Sequence, residues 1–160
     1  MSEGARDEAS FVHDKSHRRF RVYRQNGRLR HQEFLIGDGT NEDLLLCDFP
    51  VSHTIGSGNN SRSYLVEKDG FLYESPITWY TSKKGYSISP GYDALNHPSF
   101  SRIVDGECLK CHAGQFESVS ADNGRLKLHE QRIGCENCRG PGSQHVALRS
   151  SLNETAGGVV

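Results

Sequence analysis

Hydrophobic and polar residues alternate along much of the first half of the chain, the period-two pattern of strands with one buried face. In the arginine-rich run from 17 to 31, Phe20, Val22 and Leu29 fall on one side and arginines on the other. The Asn26-Gly27 pair at its centre is a preferred two-residue hairpin turn. The pattern therefore predicts a β-hairpin with an apolar inner face and a charged outer face.

Turn residues divide the rest of the first hundred residues into short segments. We predict strands over 44–49 and 63–66, and a third over 71–73 that pairs back across the Asp69-Gly70 turn. The segment from 75 to 100 is rich in turn residues and aromatic side chains, and we expect it to be ordered by what it packs against. Its aromatic residues are interpreted as core, with the flanking of a large flat cofactor as the alternative.

The last third of the chain is interpreted as loops with short helices at 100–104, directly after Cys111 and at 143–151. The predicted fold class is therefore α+β, with antiparallel β-hairpins in the first half and loop-rich segments with short helices around the cysteine motifs in the second half. The chain divides into an N-terminal lead-in over 1–19, a β-rich part over 20–100, a cysteine-containing part over 101–151 and a tail over 152–160 that is expected to be truncated.

Composition and charge narrow the classes of partner. Only 34% of the 160 residues are hydrophobic, so the apolar core is thin and a bound cofactor or metal would help to hold the chain together. The formal net charge of −1 gives no general attraction to nucleic acid or anionic membranes. The six arginines between 17 and 31 are interpreted as a solvated face. No run is long and apolar enough to span a membrane, and the first ten residues lack a signal-peptide pattern.

Four of the five cysteines form two C-x-x-C pairs, Cys108 with Cys111 and Cys135 with Cys138. The fifth, Cys47, stands alone in an apolar run and is interpreted as a buried small hydrophobe. The pairs suit a four-thiolate zinc site, although the spacing between them slightly exceeds that of common zinc ribbons. They also suit a redox disulfide, for which the usual βαβ context is absent, and the attachment of a c-type haem.

Haem attachment depends on one further residue, the histidine that follows the first pair. Two thiols at this spacing can form thioethers with the two haem vinyl groups, and the adjacent imidazole can then bind the iron as proximal ligand. Cys108, Cys111 and His112 supply these three parts in the run ECLKCHAG. The first pair is therefore a candidate haem c site.

Several motifs in a fixed order resemble one family. The runs HTIGSGNNSRSYLVEKDGFLYESPITWY, SPGYDALNHPSFSR, CLKCHAG and IGCENC, the last followed by GPGSQHV, are similar to the multihaem c-type cytochromes of the cytochrome c-554-like group, including forms fused to tetratricopeptide repeats. The resemblance spans roughly residues 10–146. It implies closely packed haems, electron transfer and export to the periplasm or cell surface. Long members carry further C-x-x-C-H motifs on both sides, so we expect this chain to be an internal piece of a longer cytochrome.

The second pair departs from the pattern of this family. The resemblance implies C-x-x-C-H-G-P-G, and Arg139 stands where the proximal histidine is expected after Cys135 and Cys138. A guanidinium is permanently protonated and has no lone pair for iron. We interpret the pair as a degenerate haem site or one altered by a single-base or sequencing change. The alternatives are a haem ligated only from its other side, no haem, or a zinc or disulfide site.

The distal iron ligand must come from another part of the chain. His145 leads, because it follows the Gly-Pro-Gly turn and matches a histidine that often binds haem iron in similar cytochromes. His53, just before the IGSG run, is the weaker candidate, followed by His129 and His97. Arg62 and Arg102 are candidate partners of a haem propionate, since guanidinium binds carboxylates bidentately.

The prediction for the whole chain is electron transfer by covalently bound haem c, as part of a multihaem cytochrome. Its partners would be redox proteins or neighbouring haem domains of the same parent chain, in the periplasm or another compartment outside the cytoplasm. No hydrolase or metalloprotease motif is present, so an electron carrier is favoured over a catalyst. The alternative is a four-cysteine zinc module that binds a partner or stabilises the fold.

Overall fold

The computed structural model describes residues 8–119, 124–130, 142–143 and 146–147. In this part of the chain seven strands form one antiparallel sheet in chain order: β1 (Ala9–His13), β2 (Arg18–Gln25), β3 (Arg28–Leu35), β4 (Leu44–Ile55), β5 (Ser61–Lys68), β6 (Phe71–Tyr80) and β7 (Gly85–Ile88). A short helix, α1 (Gly106–His112), is followed by a separate two-stranded hairpin, β8 (Gln115–Ser118) and β9 (Leu126–Glu130). Single 3-10 turns lie at Asp14–Ser16 and Ser99–Ser101.

The predicted α+β class is wrong, because strands dominate the described residues and α1 is their one complete α-helix. The edge strands β1 and β7 approach each other, so the large sheet nearly closes into a barrel. The error lies in the segment after residue 75, which was expected to be irregular. Its run of Ile77, Thr78, Trp79 and Tyr80 is β-branched and aromatic, and these residues favour a pleated, half-buried surface.

Two hairpin turns appear where the sequence predicts them. Asn26 and Gly27 have φ values of 52° and 76°, and Asp69 and Gly70 have 55° and 80°. Positive φ at both central residues is the type I′ pattern, whose twist matches that of the flanking strands. These turns fix the registers of β2 with β3 and of β5 with β6. The strand β1 also brings residues 9–13, expected as part of a lead-in, into the sheet.

Several arginines of the first hairpin are paired with carboxylates. Arg19 lies 2.7 Å from Asp43, and Arg21 lies 2.7 Å from Glu8. Arg30 lies 2.9 Å from Asp48, whose pKa is lowered by hydrogen bonds from Tyr23, Gln32 and Arg30 against the raising effect of its partial burial. The outer surface of the hairpin is therefore a face of ion pairs, as the solvated-face interpretation expects.

The barrel interior is an aromatic and aliphatic cluster that draws on all seven strands. Its buried members are Phe20, Val22, Tyr64, Ile77, Trp79 and Tyr86, with Ala9, Phe11, Leu29, Val51 and Ile88 packed around them. Tyr92 and Phe100, from the segment after β7, are buried as well. The aromatic residues between 75 and 100 are thus mostly core, which was the favoured interpretation.

A second cluster lies on the opposite, outer face of β4, β5 and β6. Leu65 and Leu72 of the barrel pack against Val104, Leu109 and Ala113, with side chains of β8 and β9 around them. Residues 102–104 are tied to the start of β6, because the Glu74 N–H donates to the Arg102 carbonyl and the Val104 N–H donates to the Leu72 carbonyl, both at 2.9 Å. This cluster places α1 over the outside of the barrel. No helix among the described residues has both the length and the apolarity to cross a membrane.

Candidate functional site

The helix α1 consists of the first cysteine motif itself. Asp105 caps it, since its side chain accepts a hydrogen bond from the Cys108 backbone N–H at 3.0 Å. The helix ends at His112, after which Ala113 turns to an extended conformation and its N–H donates to the Leu109 carbonyl at 2.8 Å. The predicted short helix after Cys111 is therefore wrong, because β8 begins at Gln115. The predicted helix over 100–104 is replaced by the 3-10 turn and an extended segment.

The three residues of the motif lie on one side of α1. Cys108, Cys111 and His112 are at positions i, i+3 and i+4, which are neighbours on a helix surface. Both thiols are free and exposed. Leu109, which is three residues before His112 and therefore its neighbour on the helix surface, is completely buried in the outer cluster. The helix thus presents two thiols and an imidazole together and fixes them to the barrel through one leucine.

A small cavity separates α1 from the barrel. Its volume is about 210 Å³, and it is lined by Ile55, Ser63, Leu65, Glu74, Arg102, Val104, Cys108, Leu109 and His112. Pockets that enclose drug-sized ligands measure about 300–1,000 Å³. The cavity is therefore too small to enclose a haem. The two thiols and the imidazole of the motif nevertheless have the chemistry that holds a c-type haem.

Charged groups border this cavity on the barrel side. The Arg102 guanidinium lies 3.1 Å from the Glu74 carboxylate and 5.8 Å from the centre of the Tyr92 ring. Burial raises the pKa of Glu74, and the positive charges of Arg102 and His112 oppose this shift. The cavity is thus bordered by a carboxylate whose pKa is affected by the charge of the motif imidazole.

The electrostatics around Cys108 bear on the redox-disulfide alternative. Partial burial and the hydrogen bond with Asp105 both raise the pKa of the Cys108 thiol. The Cys108 backbone N–H in turn lowers the pKa of the Asp105 carboxyl. Reactive cysteines of thiol–disulfide enzymes have lowered pKa values, because the thiolate is the nucleophile. Cys108 therefore lacks the lowered pKa of such reactive cysteines.

His53 lies on β4, on the face of the sheet that α1 covers. It stands directly opposite Leu65 in the register, and opposed residues point to the same side of a sheet. The Ser52 hydroxyl donates to the Leu65 carbonyl at 3.0 Å, so its oxygen accepts from His53 Nδ1, also at 3.0 Å. Burial lowers the pKa of His53. The ring borders a separate open groove of about 820 Å³, together with Arg24 and Arg28, and not the cavity under α1.

The two lesser histidine candidates have different surroundings. His97 is buried at the end of the barrel, where its Nδ1 accepts from the Ser99 N–H and its Nε2 lies 3.7 Å from Glu33. The side chain of His97 is only 2% exposed, and its role as an iron ligand stays a prediction. His129 lies on β9, partly exposed, with Nε2 3.1 Å from Glu117. Cys47 is half-buried, and burial raises the pKa of its thiol.

The second cysteine motif falls outside the described residues. The residues outside this part of the chain include Cys135, Cys138, Arg139 and His145, and most of the predicted helix over 143–151. Among the residues that the structure does describe, no group of three or more His, Cys, Asp or Glu side chains is arranged to hold a metal ion. Comparison with protein-family models, with curated proteins and with solved structures found no match.

Two polar arrangements were not anticipated from the sequence. Glu74 borders the motif cavity, but nothing in the sequence near residue 74 indicates this. At the barrel end, His13 lies 2.7 Å from the Ser16 hydroxyl and 2.9 Å from the Asp93 carboxylate. The second set has the composition of a hydrolase triad, but Ser16 is only 8% exposed and Asp93 also binds Lys15 at 2.6 Å. It ties the segment after β7 to the start of the barrel.

Proposed function

We propose that the chain carries haem c on α1 and transfers electrons. Cys108 and Cys111 hold the haem through thioethers, and His112 is the proximal iron ligand. The observation that carries this proposal is the placement of the two exposed thiols and the imidazole on one side of a short helix anchored by Leu109. A bound haem supplies one-electron chemistry, and the protein supplies its attachment, orientation and electrostatic surroundings.

The residues around α1 have distinct tasks in this proposal. The exposed thiols are accessible to the attachment machinery, while the buried Leu109 keeps the helix in place as they react. The outer apolar cluster packs on the barrel side of α1. Arg102 offers a cation at the same cavity that can pair with a propionate, in addition to its bond with Glu74.

Two histidines remain candidates for the distal ligand. His145 remains the leading candidate because of its position after the Gly-Pro-Gly turn. His53 is supported by its bonded Ser52, because a ring that donates from Nδ1 to this hydroxyl leaves the Nε2 lone pair for a metal. Bis-histidine ligation gives a low-spin electron carrier, so either residue suits electron relay to neighbouring haems or redox proteins.

The proposal also concerns the compartment of the protein and the role of the second cysteine motif. Thioether attachment of this kind implies an exported parent protein, in the periplasm or outside the cytoplasm. The pair Cys135 and Cys138 is proposed to be a degenerate haem site, since Arg139 has no lone pair for iron. A four-cysteine zinc module remains the competing proposal, and the experiment below distinguishes the two.

The test is expression with a signal peptide in a host that has the cytochrome c maturation system. We expect a Soret band that shifts on reduction and a protein band that stains for haem after denaturation. Both signals should disappear in the Cys108→Ala/Cys111→Ala variant and persist in Cys47→Ala, the matched control. A colourless protein that binds one equivalent of zinc would refute haem attachment and support the zinc module.

A further inference from the structure

The long strand β4 changes its pairing partner halfway along. Its first half pairs with β3 as far as Pro50, and its pairing with β5 begins only at Val51. Within the described part of the chain, no strand pairs with residues 44–49 on the β5 side. A free strand edge presents backbone N–H and C=O groups that can pair with another strand. At about 3.4 Å per residue, this edge is about 20 Å long.

Leucines dominate the beginning of this edge. Leu44, Leu45 and Leu46 are 60%, 47% and 39% exposed. Leu35 lies opposite Leu44 on β3 and is 39% exposed. The register of β3 with β4 shifts here and leaves Leu46 without a direct partner on β3. Such a bulge interrupts the alternation of side chains, and three consecutive leucines remain exposed. These four residues form the leucine edge.

The following residues of β4 are partly covered by the turn at Ser99–Ser101. Cys47 Sγ lies 3.9 Å from Ser99 Oγ. The Phe49 ring packs on the Phe100 ring, with centroids 5.2 Å apart. The exposed apolar surface of this strand is therefore concentrated at the leucine edge, where it is large enough to mark an interaction surface.

Two acidic residues flank the leucines of β4, and each is paired within its own molecule. Asp43 lies 2.7 Å from Arg19, and Asp48 lies 2.9 Å from Arg30. An antiparallel second copy would bring these carboxylates toward each other, and like charges that face each other destabilise a sheet. The paired arginines offset this repulsion. An apolar edge between neutralised charges suits a second copy better than a strongly charged partner.

We propose that the leucine edge is a self-association surface, at which the first half of β4 pairs with the same segment of a second copy. An antiparallel pair of identical strands has a two-fold axis, the commonest symmetry of protein dimers. The pairing satisfies backbone groups of both edges and buries the leucines of each copy against those of the other. The contact is small, so it belongs with the weak complexes and depends on protein concentration. The inference is independent of haem attachment.

The test is sedimentation velocity of the full chain over a range of concentrations, with a reductant that keeps the exposed thiols from linking two copies. We expect a monomer at low concentration and a dimer at high concentration. Leu45→Lys places an unpaired charge in the contact and should weaken the association by about tenfold or more. Val119→Lys is the matched control, since it adds the same charge at a valine that is 59% exposed on the separate hairpin.

Two results of this experiment would overturn the inference. One is a wild type that stays monomeric over the whole range of concentrations. The other is an association that Leu45→Lys weakens no more than Val119→Lys does, because a general effect of charge would then explain both variants.

Hydrogen exchange of the wild type gives a second result that needs no variant, and it decides the matter if Leu45→Lys does not fold. The backbone amides of residues 44–49 should become more protected as the protein concentration rises, while those of the β8–β9 hairpin should not change. A dimer whose added protection lies elsewhere, with none in the first half of β4, would show a different interface and overturn the inference.

Discussion

The residue His31 shows how the barrel interior changes the chemistry of a single side chain. It is completely buried, with Nδ1 2.8 Å from the Ser75 hydroxyl, and burial lowers its pKa to about 3. Between this value and its ordinary pKa of 6.5, the unfolded chain binds a proton that the folded chain excludes. The contribution of His31 to stability is therefore fully present above pH 6.5 and is lost as the pH falls toward 3.

We accordingly expect acid to destabilise the wild type through His31. The free energy of unfolding should lose up to about 1.4 kcal/mol per pH unit from this group between its two pKa values. His31→Gln cannot titrate, so its slope in urea denaturation between pH 6 and 4 should be shallower. His129→Gln changes a partly exposed histidine and serves as the control. Equal slopes in His31→Gln and wild type would contradict the buried, neutral state of His31.

For single residues, the sequence identifies the members of the first cysteine motif but not the side chains that surround them. Cys108, Cys111 and His112 are recognisable because they are adjacent in the chain. Glu74 is not, because its place in the cavity that His112 also lines depends on how β6 and α1 pack. His97 illustrates the converse: its side chain has ligand chemistry, but the fold buries it beside Glu33.

The element α1 is short, and its stability depends on packing more than on helix propensity. The sequence predicts a helix after Cys111, whereas the motif itself forms the helix and Asp105 caps its start. The cap could be found from the sequence, since Asp105 lies directly before the motif and its carboxylate suits an N-cap position. The surface on which α1 packs could not be found from the sequence, because Leu65 and Leu72 belong to strands that are distant in the chain.

Leu109 should be the main anchor of this element. Leu109→Ala removes a completely buried side chain, and such changes cost about 2–5 kcal/mol. We expect this loss in the free energy of unfolding, measured by urea denaturation with far-ultraviolet circular dichroism. Lys110→Ala, on the exposed side of the same helix, should change it by less than about 0.5 kcal/mol. Similar values for the two variants would show that α1 does not depend on the outer cluster.

For the whole molecule, the sequence predicts the hairpin turns but not the near closure of the sheet. The turns at Asn26-Gly27 and Asp69-Gly70 follow from residue type and are confirmed. The near closure of the sheet brings β1 to β7, which are far apart in the chain, and no local pattern encodes that approach. The α+β prediction failed at this scale, because β-propensity after residue 75 outweighed the turn residues.

The second motif gives an expectation for the haem content of the complete chain. Cys135 and Cys138 keep the two thiols of an attachment site, and Arg139 replaces only the proximal ligand. Restoring the ligand in Arg139→His should raise the haem content by one equivalent in a pyridine haemochrome assay. Arg139→Gln, which removes the charge without supplying the C-x-x-C-H histidine, is the control and should not. An unchanged content in Arg139→His would mean that the pair has another role.

The central claim is that Cys108 and Cys111 carry a covalent haem. The most direct measurement is mass spectrometry of proteolytic peptides from the protein matured in a host with the cytochrome c system. We expect the peptide that contains Cys108 and Cys111 to carry the mass of one haem, held by two thioethers. Recovery of that peptide with both thiols free, or joined only to each other, would contradict the account.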